Sequence, residues 1–263
     1  VDTISIGGNV TASTITGDGG NDQITIQGSA GPSGPQITLI TGNAGNDTIT
    51  ILGPSGGSTI WGDDENDANP GDDGDDVITA GGGDDKIYGS GGNDEIKGGG
   101  GYDEIFGMAG NDLLWGGLTN SGGDAAGNRI IGGDGDDQIW GDLGADEITG
   151  DLGNDIVFAL AGDDDIEGGD GNDEIHGGAG NDLIVGNRGD DELHGDGGDD
   201  IIWGGEEIHA RSNFDLSNSA NFTNPTQFDA NEAVYFSGFT PPRITPIVLN
   251  GLSVGGEADD KFS

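Results

Sequence analysis

A single aliphatic residue recurs every nine positions along much of the chain, in two uninterrupted runs at 71–115 and 132–203. The first run contains five nonapeptides and the second contains eight. Side chains alternate between the two faces of a strand, so this pattern predicts a very short strand over positions seven to nine of each unit. Position eight should be buried, and positions seven and nine should point outward. The pattern therefore predicts an all-β protein built from many short, similar rungs.

Two further positions are the same in all thirteen nonapeptides: position four is Gly and position six is Asp. Glycine permits a tight bend and lets backbone carbonyls approach one another, and calcium prefers a mixture of carboxylate and carbonyl oxygens. The candidate metal-binding carboxylates of these units are Asp76, Asp85, Asp94, Asp103, Asp112, Asp137, Asp146, Asp155, Asp164, Asp173, Asp182, Asp191 and Asp200. The carbonyls expected beside them lie around Gly74, Gly83, Gly92, Gly101, Gly110, Gly135, Gly144, Gly153, Gly162, Gly171, Gly180, Gly189 and Gly198.

At these positions the sequence resembles the RTX family, the hemolysin-type calcium-binding nonapeptide repeats, whose consensus is G-G-x-G-x-D-x-U-x with U apolar. The resemblance is close over 71–203 and looser before it. It implies an all-β, right-handed parallel β-roll, a β-solenoid in which two nonapeptides form one turn and calcium lies between loops of successive turns. Position-six residues two units apart, such as Asp137 and Asp155, would then share a site. Stacking of this kind predicts roughly a dozen Ca²⁺ ions.

The charge of the chain supports this interpretation. It has 50 acidic residues against 7 basic ones, a net charge of −43, and such a charge repels itself in any compact form. Disorder is the alternative for this composition, but the regular spacing of the apolar residues favours a fold that binds many cations. The negative charge also excludes nucleic acid as a partner, because it would repel the phosphates. The sequence has no apolar run of about 18 residues, so it predicts no membrane span.

The predicted core is thin, because each unit contributes only one aliphatic residue. A core of this size is too small to hold the fold alone. Calcium is therefore expected to be structural, so that its binding energy becomes folding energy.

Residues 1–61 keep the repeat in a longer form and are interpreted as degenerate solenoid turns ahead of the main roll at 62–205. Paired isoleucines such as Ile24 and Ile26 predict strands with two inward residues. The position-six place is acidic on one side of these turns and carries a hydroxyl residue on the other. The residues concerned are Asp2, Asp22 and Asp47 against Ser13, Thr38 and Ser58. We therefore expect this segment to bind calcium on one side only, with Asp22 and Asp47 as metal ligands.

Three interruptions break the repeat, and such insertions usually project as surface loops. They are the Gly/Ser/Pro segment 28–35, the segment 62–70, interpreted as a loop or a degenerate unit, and 116–131, interpreted as one unit enlarged by seven residues with Asn128 in place of Asp. The repeat stops after Gly205, and 206–263 is expected to form the atypical cap that a solenoid end needs. An export signal is the alternative for this segment. No equivalent cap is visible at the N-terminal side, so we expect that edge to be able to accept another chain.

We assign no catalytic residues and expect no enzymatic activity, since the chain is expected to contain neither the nucleophile elbow G-x-S-x-G nor the zinc motif H-E-x-x-H. His176 and His194 both occupy position nine, 18 residues apart, and should stack on the outer face. They are either a transition-metal site or an exposed ladder. The outward rings of Trp140 and Phe158, and those of Tyr88 and Phe106, are either sheet-stabilising pairs or contact platforms for sugars or proteins.

The sequence thus predicts an extracellular calcium-binding structural module that folds and rigidifies on binding Ca²⁺. It would belong to a secreted or cell-surface bacterial protein, such as an adhesin, a matrix component or a filament. One alternative is the C-terminal secretion and folding module of a larger secreted enzyme or toxin that uses type I export. Another is a calcium-dependent self-assembling subunit. The expected partners are calcium ions and either copies of the chain or a cell-surface or matrix component.

Overall fold

The computed structural model describes residues 1–7, 14–27, 39–53, 56–63, 73–117 and 125–204, and the backbone of two short strands at 234–237 and 261–262. This described part is all-β and contains no helix, which confirms the predicted fold class. Its strands form a β-solenoid of about nine turns. The first 20 strands alternate between two sheets, which contain 11 strands each, and pairing within each sheet is parallel except for the last strand of the second.

The strands have the following bounds. Sheet one contains β1 (Thr3–Gly7), β3 (Gln23–Gln27), β5 (Thr48–Ile51), β7 (Val77–Thr79), β9 (Glu95–Gly99), β11 (Leu113–Gly117), β13 (Gln138–Asp142), β15 (Ile156–Leu160), β17 (Glu174–Ala179), β19 (Glu192–Gly197) and β22 (Lys261–Phe262). Sheet two contains β2 (Thr14–Thr16), β4 (Leu39–Thr41), β6 (Thr59–Trp61), β8 (Lys86–Gly91), β10 (Glu104–Ala109), β12 (Arg129–Asp134), β14 (Glu147–Leu152), β16 (Asp165–Asp170), β18 (Leu183–Arg188), β20 (Asp200–Trp203) and β21 (Val234–Ser237).

The core is a double column of aliphatic side chains, one from each rung of each sheet. In sheet one, Ile96 is paired in register with Ile78 on one side and Leu114 on the other. All thirteen position-eight residues are buried, as predicted. Ile24 and Ile26 are both fully buried, so the longer N-terminal strands do carry two inward residues. The register places equivalent positions of successive turns directly above one another.

The interruptions differ in what they add to the sheets. Strand β5 pairs directly with β7, and β6 pairs directly with β8. The greater part of the segment 62–70 lies outside the described residues. Strand β12 pairs with both β10 and β14, so the enlarged unit at 116–131 fills one ordinary rung. The insertion 28–35 lies outside the described residues.

The two ends of the roll are paired differently. Within the described residues, β1 and β2 each pair on one side only. At the other end, β21 pairs with β20 in antiparallel orientation and β22 pairs with β19 in parallel orientation. Two short segments of 206–263 therefore follow the last repeat rung of each sheet. The rest of 206–263 is outside the described residues, and its role as a cap stays a prediction.

Candidate metal centres between successive turns

The position-six side chains form two ladders along the roll. In each ladder, the backbone N–H of one residue donates to Oδ1 of the position-six residue in the next turn. Asp76 N–H donates to Asp94 Oδ1, and Asp94 N–H donates to Asp112 Oδ1, each at 2.8 Å. Ladder one contains Asp2, Asp22, Asp47, Asp76, Asp94, Asp112, Asp137, Asp155, Asp173 and Asp191. Ladder two contains Ser58, Asp85, Asp103, Asn128, Asp146, Asp164, Asp182 and Asp200.

All fifteen predicted metal-binding aspartates are buried, although carboxylates rarely are without a partner. The ladder bond occupies Oδ1 and leaves Oδ2 available. Within the described part of the chain, Oδ2 is buried and accepts no hydrogen bond in Asp22, Asp47, Asp76, Asp85, Asp94, Asp112, Asp137, Asp155, Asp164, Asp173 and Asp182. A buried charged oxygen without a donor is costly, so these atoms indicate a ligand that supplies positive charge.

Beside nine of these eleven oxygens a glycine keeps the space open, whereas the units of Asp85 and Asp164 begin with Ala80 and Ala159. A methyl group on Gly89 would overlap Asp94 Oδ2 and would lie 2.7 Å from the carbonyl oxygen of Gly107 in the next turn. A carboxylate oxygen and a carbonyl oxygen therefore converge next to a residue that has no side chain. We call this arrangement a cradle. In ladder one it recurs without a gap at Gly17, Gly42, Gly62, Gly89, Gly107, Gly132, Gly150 and Gly168.

The donors in a cradle suit calcium. Among the residues that the structure describes, no three His, Asp or Glu side chains converge as a set of metal ligands. Each cradle instead combines a carboxylate with a backbone carbonyl from the neighbouring turn. Calcium accepts such hard oxygen donors of mixed type, whereas transition metals favour imidazole or thiolate ligands. The residues present therefore fit Ca²⁺, which would supply positive charge between two turns.

Burial strongly perturbs these carboxylates. The pKa of Asp76 is raised to about 9, chiefly because burial removes water; the hydrogen bond from the Asp47 backbone opposes the change, and Asp63, Asp94 and Asp47 add repulsion. Burial likewise raises the pKa of Asp94 and that of Asp137 to about 8. The pKa is raised to about 7 in Asp85, Asp146, Asp164 and Asp173, and to about 6 in Asp47, Asp112 and Asp155. Without a cation, burial in the fold therefore shifts each of these carboxyl groups toward its protonated form.

The position-four glycines make the bends that bring the loops together. Gly110 has φ of +136°, and a methyl group on it would overlap the carbonyl oxygen of Gly92 one turn earlier. A side chain at this position would be strained by its backbone conformation and would have no space. The predicted position-four glycines are thus needed for the close stacking of successive loops.

The fold and its cradles define a class of protein: a parallel β-roll whose successive turns present paired oxygen donors for divalent cations. The model of the RTX calcium-binding nonapeptide repeat (4 copies) matches residues 8–25, 39–51, 70–105, 88–120, 122–157, 149–184, 158–193 and 176–207. These matches cover more than half of the chain, and the chain belongs to this family of calcium-binding repeat proteins. No curated protein matches it.

In the N-terminal turns, the position-six places that the structure describes carry aspartate in ladder one and a serine in ladder two. Asp22 and Asp47 belong to ladder one, and the cradles at Gly17 and Gly42 stand beside them. Ser58 occupies the equivalent place in ladder two, where its N–H donates to Asp85 Oδ1. Ser13 and Thr38 lie outside the described residues. One-sided calcium binding before 62 stays a prediction.

Sequence reasoning missed two buried carboxylates at position two, Asp63 and Asp142, which are 2 % and 6 % exposed. Asp63 lies 3.3 Å from the donating N–H of Gly74, and burial, opposed by that bond, raises the pKa of Asp63 to about 7. Asp142 is in contact with Asn128, the one departure from Asp at position six in the two runs and the enlarged unit between them. For Asp142, the sequence did contain a signal: an acidic residue at position two, one turn after the position-six place where Asn128 replaces aspartate.

A third ladder was also missed. The Asn93 N–H donates to Asp75 Oδ1 at 2.7 Å, and the Asn111 N–H donates to Asn93 Oδ1 at 2.8 Å. These are exposed position-five residues, and their bonds run in the opposite direction to those of position six. Position five is Asp or Asn in eleven of the thirteen nonapeptides, which is the pattern that could have revealed it.

The position-nine rings stack face to face along the outside of the sheets. One column runs from Trp115 through Trp140, Phe158 and His176 to His194, with centroid spacings of 4.8, 6.1, 4.9 and 4.5 Å. A shorter column joins Trp61, Tyr88 and Phe106. Each inner ring covers the faces of its neighbours, so this geometry favours sheet stabilisation over a platform for ligands.

The two stacked histidines are directed toward carboxylates. Nε2 of His176 lies 3.2 Å from Glu174, its Nδ1 lies 3.3 Å from Asp196, and Nε2 of His194 lies 3.3 Å from Glu192. These contacts favour the exposed ladder over a transition-metal site.

One sequence expectation needs correction. The letters of the nucleophile elbow, G-x-S-x-G, do occur, at 53–57 and at 251–255. The elbow requires a turn from a strand into a helix, and both serines lie outside the described residues.

Within the described residues, the structure has no helix that could span a membrane.

The cradle geometry predicts that Gly107→Ala weakens calcium binding. The added methyl group would overlap Asp112 Oδ2 and lie 2.7 Å from the Gly132 carbonyl oxygen. Relief of such an overlap typically costs about 1–3 kcal/mol, which corresponds to a roughly 5- to 150-fold weaker calcium affinity at this site and raises the calcium concentration at half-maximal folding. Calcium titration followed by circular dichroism measures this. Gly19→Ala is the matched control, because a methyl group there meets nothing within 4 Å. Equal shifts in the two variants would contradict the cradle assignment.

Proposed function

We propose that this chain is a calcium-rigidified, rod-like structural module of an extracellular protein. The observation that carries the proposal is the unbroken series of cradles in ladder one, from Gly17 to Gly168. Each cradle takes oxygens from two successive turns, so each bound cation would join one turn to the next. Cations along the whole ladder would then stiffen the roll from end to end.

The same chemistry supports an extracellular site of action. A chain with net charge −43 and buried carboxylates needs abundant cations to fold. Free calcium is abundant outside cells, where calcium modules bind with dissociation constants of roughly 0.1–1 mM. Repeats of this family are typical of secreted bacterial proteins, which supports the proposal. The proposal involves no catalysis, because each named donor has a structural task.

The test is a calcium titration with small-angle X-ray scattering. We expect folding at a calcium concentration of about 0.1–1 mM, with the disordered chain becoming a rod. The nine intervals between β1 and β19 give a repeat region about 43 Å long, at about 4.8 Å per interval. A folding midpoint below one micromolar would remove the extracellular argument, and a scattering profile that stayed flexible in calcium would remove the rod.

A self-assembling subunit is the second candidate, and it is supported by β1 and β2, which among the residues that the structure describes each pair on one side only. Exposed strand edges accept further strands. The same scattering experiment decides between the two, because it gives the particle mass. A monomer at high protein concentration in calcium supports the module, whereas a mass that grows with concentration supports assembly.

A further inference from the structure

Asn128 occupies a position-six place in ladder two without breaking the ladder. Its Oδ1 accepts the Asp103 N–H at 2.9 Å, and its own N–H donates to Asp146 Oδ1 at 2.6 Å. The residue is 1 % exposed, as buried as the aspartates around it. The backbone of this rung therefore matches its neighbours, and only the chemistry of the side chain differs.

Beside the glycine of this rung lies an amide nitrogen, a hydrogen-bond donor, whereas each cradle has a carboxylate oxygen, an acceptor, in that place. A methyl group on Gly116 would lie 2.5 Å from Asn128 Nδ2, whereas one on Gly98 would meet Asp103 Oδ2 and the Gly116 carbonyl oxygen, the latter at 2.6 Å. The hydrogen bonds determine the orientation of the amide. Oδ1 accepts from Asp103, and Nδ2 donates to Asp142 Oδ2 at 3.1 Å.

The carboxylates around Asn128 are satisfied by the protein itself. Asp142 Oδ1 accepts the Gly144 N–H at 2.7 Å, and its Oδ2 accepts the Asn128 amide. Asp146 Oδ2 accepts the Asp142 N–H at 2.9 Å. In Asp155, by contrast, Oδ2 is buried and accepts no hydrogen bond in the described structure. This rung has no free carboxylate oxygen for a cation.

We propose that the Asn128 rung binds no calcium and that the Asn128–Asp142 hydrogen bond replaces the cation as the link between these two turns. The amide N–H groups point the positive ends of their dipoles toward the cradle, and Asn brings no charge to offset a cation. Ladder two is therefore divided into two calcium-binding blocks. Ladder one passes the same level without a break, from Asp112 to Asp137. This inference rests on the proposed binding of calcium by the other rungs.

The test compares the calcium stoichiometry of the full chain with that of Asn128→Asp. The substitution replaces the amide by a carboxylate beside Asp142, so two negative groups would meet where one hydrogen bond now lies. We expect the variant to bind one additional Ca²⁺ per chain in native mass spectrometry or equilibrium dialysis at saturating calcium. Asn111→Asp is the matched control: it adds the same charge at exposed position five and should leave the stoichiometry unchanged.

A second variant, Asp142→Ala, tests the proposal independently of the first. Because Asp142 serves Asn128 rather than a cation, its removal should leave the number of bound ions equal to that of the unmodified chain. Loss of one ion in this variant, or an unchanged stoichiometry in folded Asn128→Asp, would overturn the proposal. If the unmodified chain bound no calcium at all, the proposed function would fail instead, which distinguishes the two outcomes.

Discussion

Removal of calcium at neutral pH is expected to convert the roll into a random coil. Fifteen buried aspartates lie along the two ladders, and the core offers one aliphatic residue per nonapeptide to offset them. Burial raises the pKa of Asp146 from 3.8 to about 7, so ionisation of this carboxyl group in the fold lowers the free energy of unfolding by about 4 kcal/mol. The combined loss from a few such groups exceeds the 5–15 kcal/mol that stabilises an ordinary domain.

Far-UV circular dichroism with a calcium chelator measures this effect. The β-sheet signal should vanish in chelator at pH 7.5 and return when calcium is restored in excess. Magnesium at the same concentration is the control, because it requires near-ideal octahedral geometry and gives up its water reluctantly. It should restore less structure. A β-sheet spectrum that persisted in chelator would refute structural calcium.

Acid should restore structure to the calcium-free chain. In the unfolded chain an aspartate titrates near 3.8, whereas in the fold the affected pKa values lie between about 6 and 9. Between these values the fold binds more protons than the unfolded chain, so its stability falls as pH rises. The calcium-free fold should therefore be most stable below about pH 4 and should be lost progressively as pH rises through the folded pKa values.

Calcium reverses this dependence, because it binds only the ionised carboxylates. The calcium concentration needed to fill the sites should therefore rise as pH falls below about 6, where protons compete for the same oxygens. Circular dichroism of metal-free protein from pH 4 to 7.5 tests the first sign, and equilibrium dialysis with calcium over the same range tests the second. A calcium-free chain that stayed a coil at pH 4, or a calcium concentration at half-saturation that fell with acid, would contradict the argument.

The repeating part of the structure could be predicted because two periods coincide. A strand alternates its side chains, and the nonapeptide places one aliphatic residue at the same point of every strand, so Ile96 had to point inward. The register then had to place equivalent residues of successive turns together, which accounts for the stacks of Asp94 on Asp112 and of His176 on His194. The resemblance to a known repeat supplied the two-sheet arrangement that position eight alone did not specify.

The sequence by itself therefore determined the all-β repeat, its aliphatic core, and the placement of position-six residues of successive turns next to one another. Only the tertiary structure decided which carboxylate oxygen of each aspartate accepts a hydrogen bond, which oxygens converge beside Gly89, and that Asp63 is buried. It also decided that Asp142 meets Asn128. The physical reason is that these contacts join residues from different loops, two of which carry interruptions. A repeat period specifies which rungs are neighbours, but the direction of each donor and acceptor depends on the packed positions of all the loops around it.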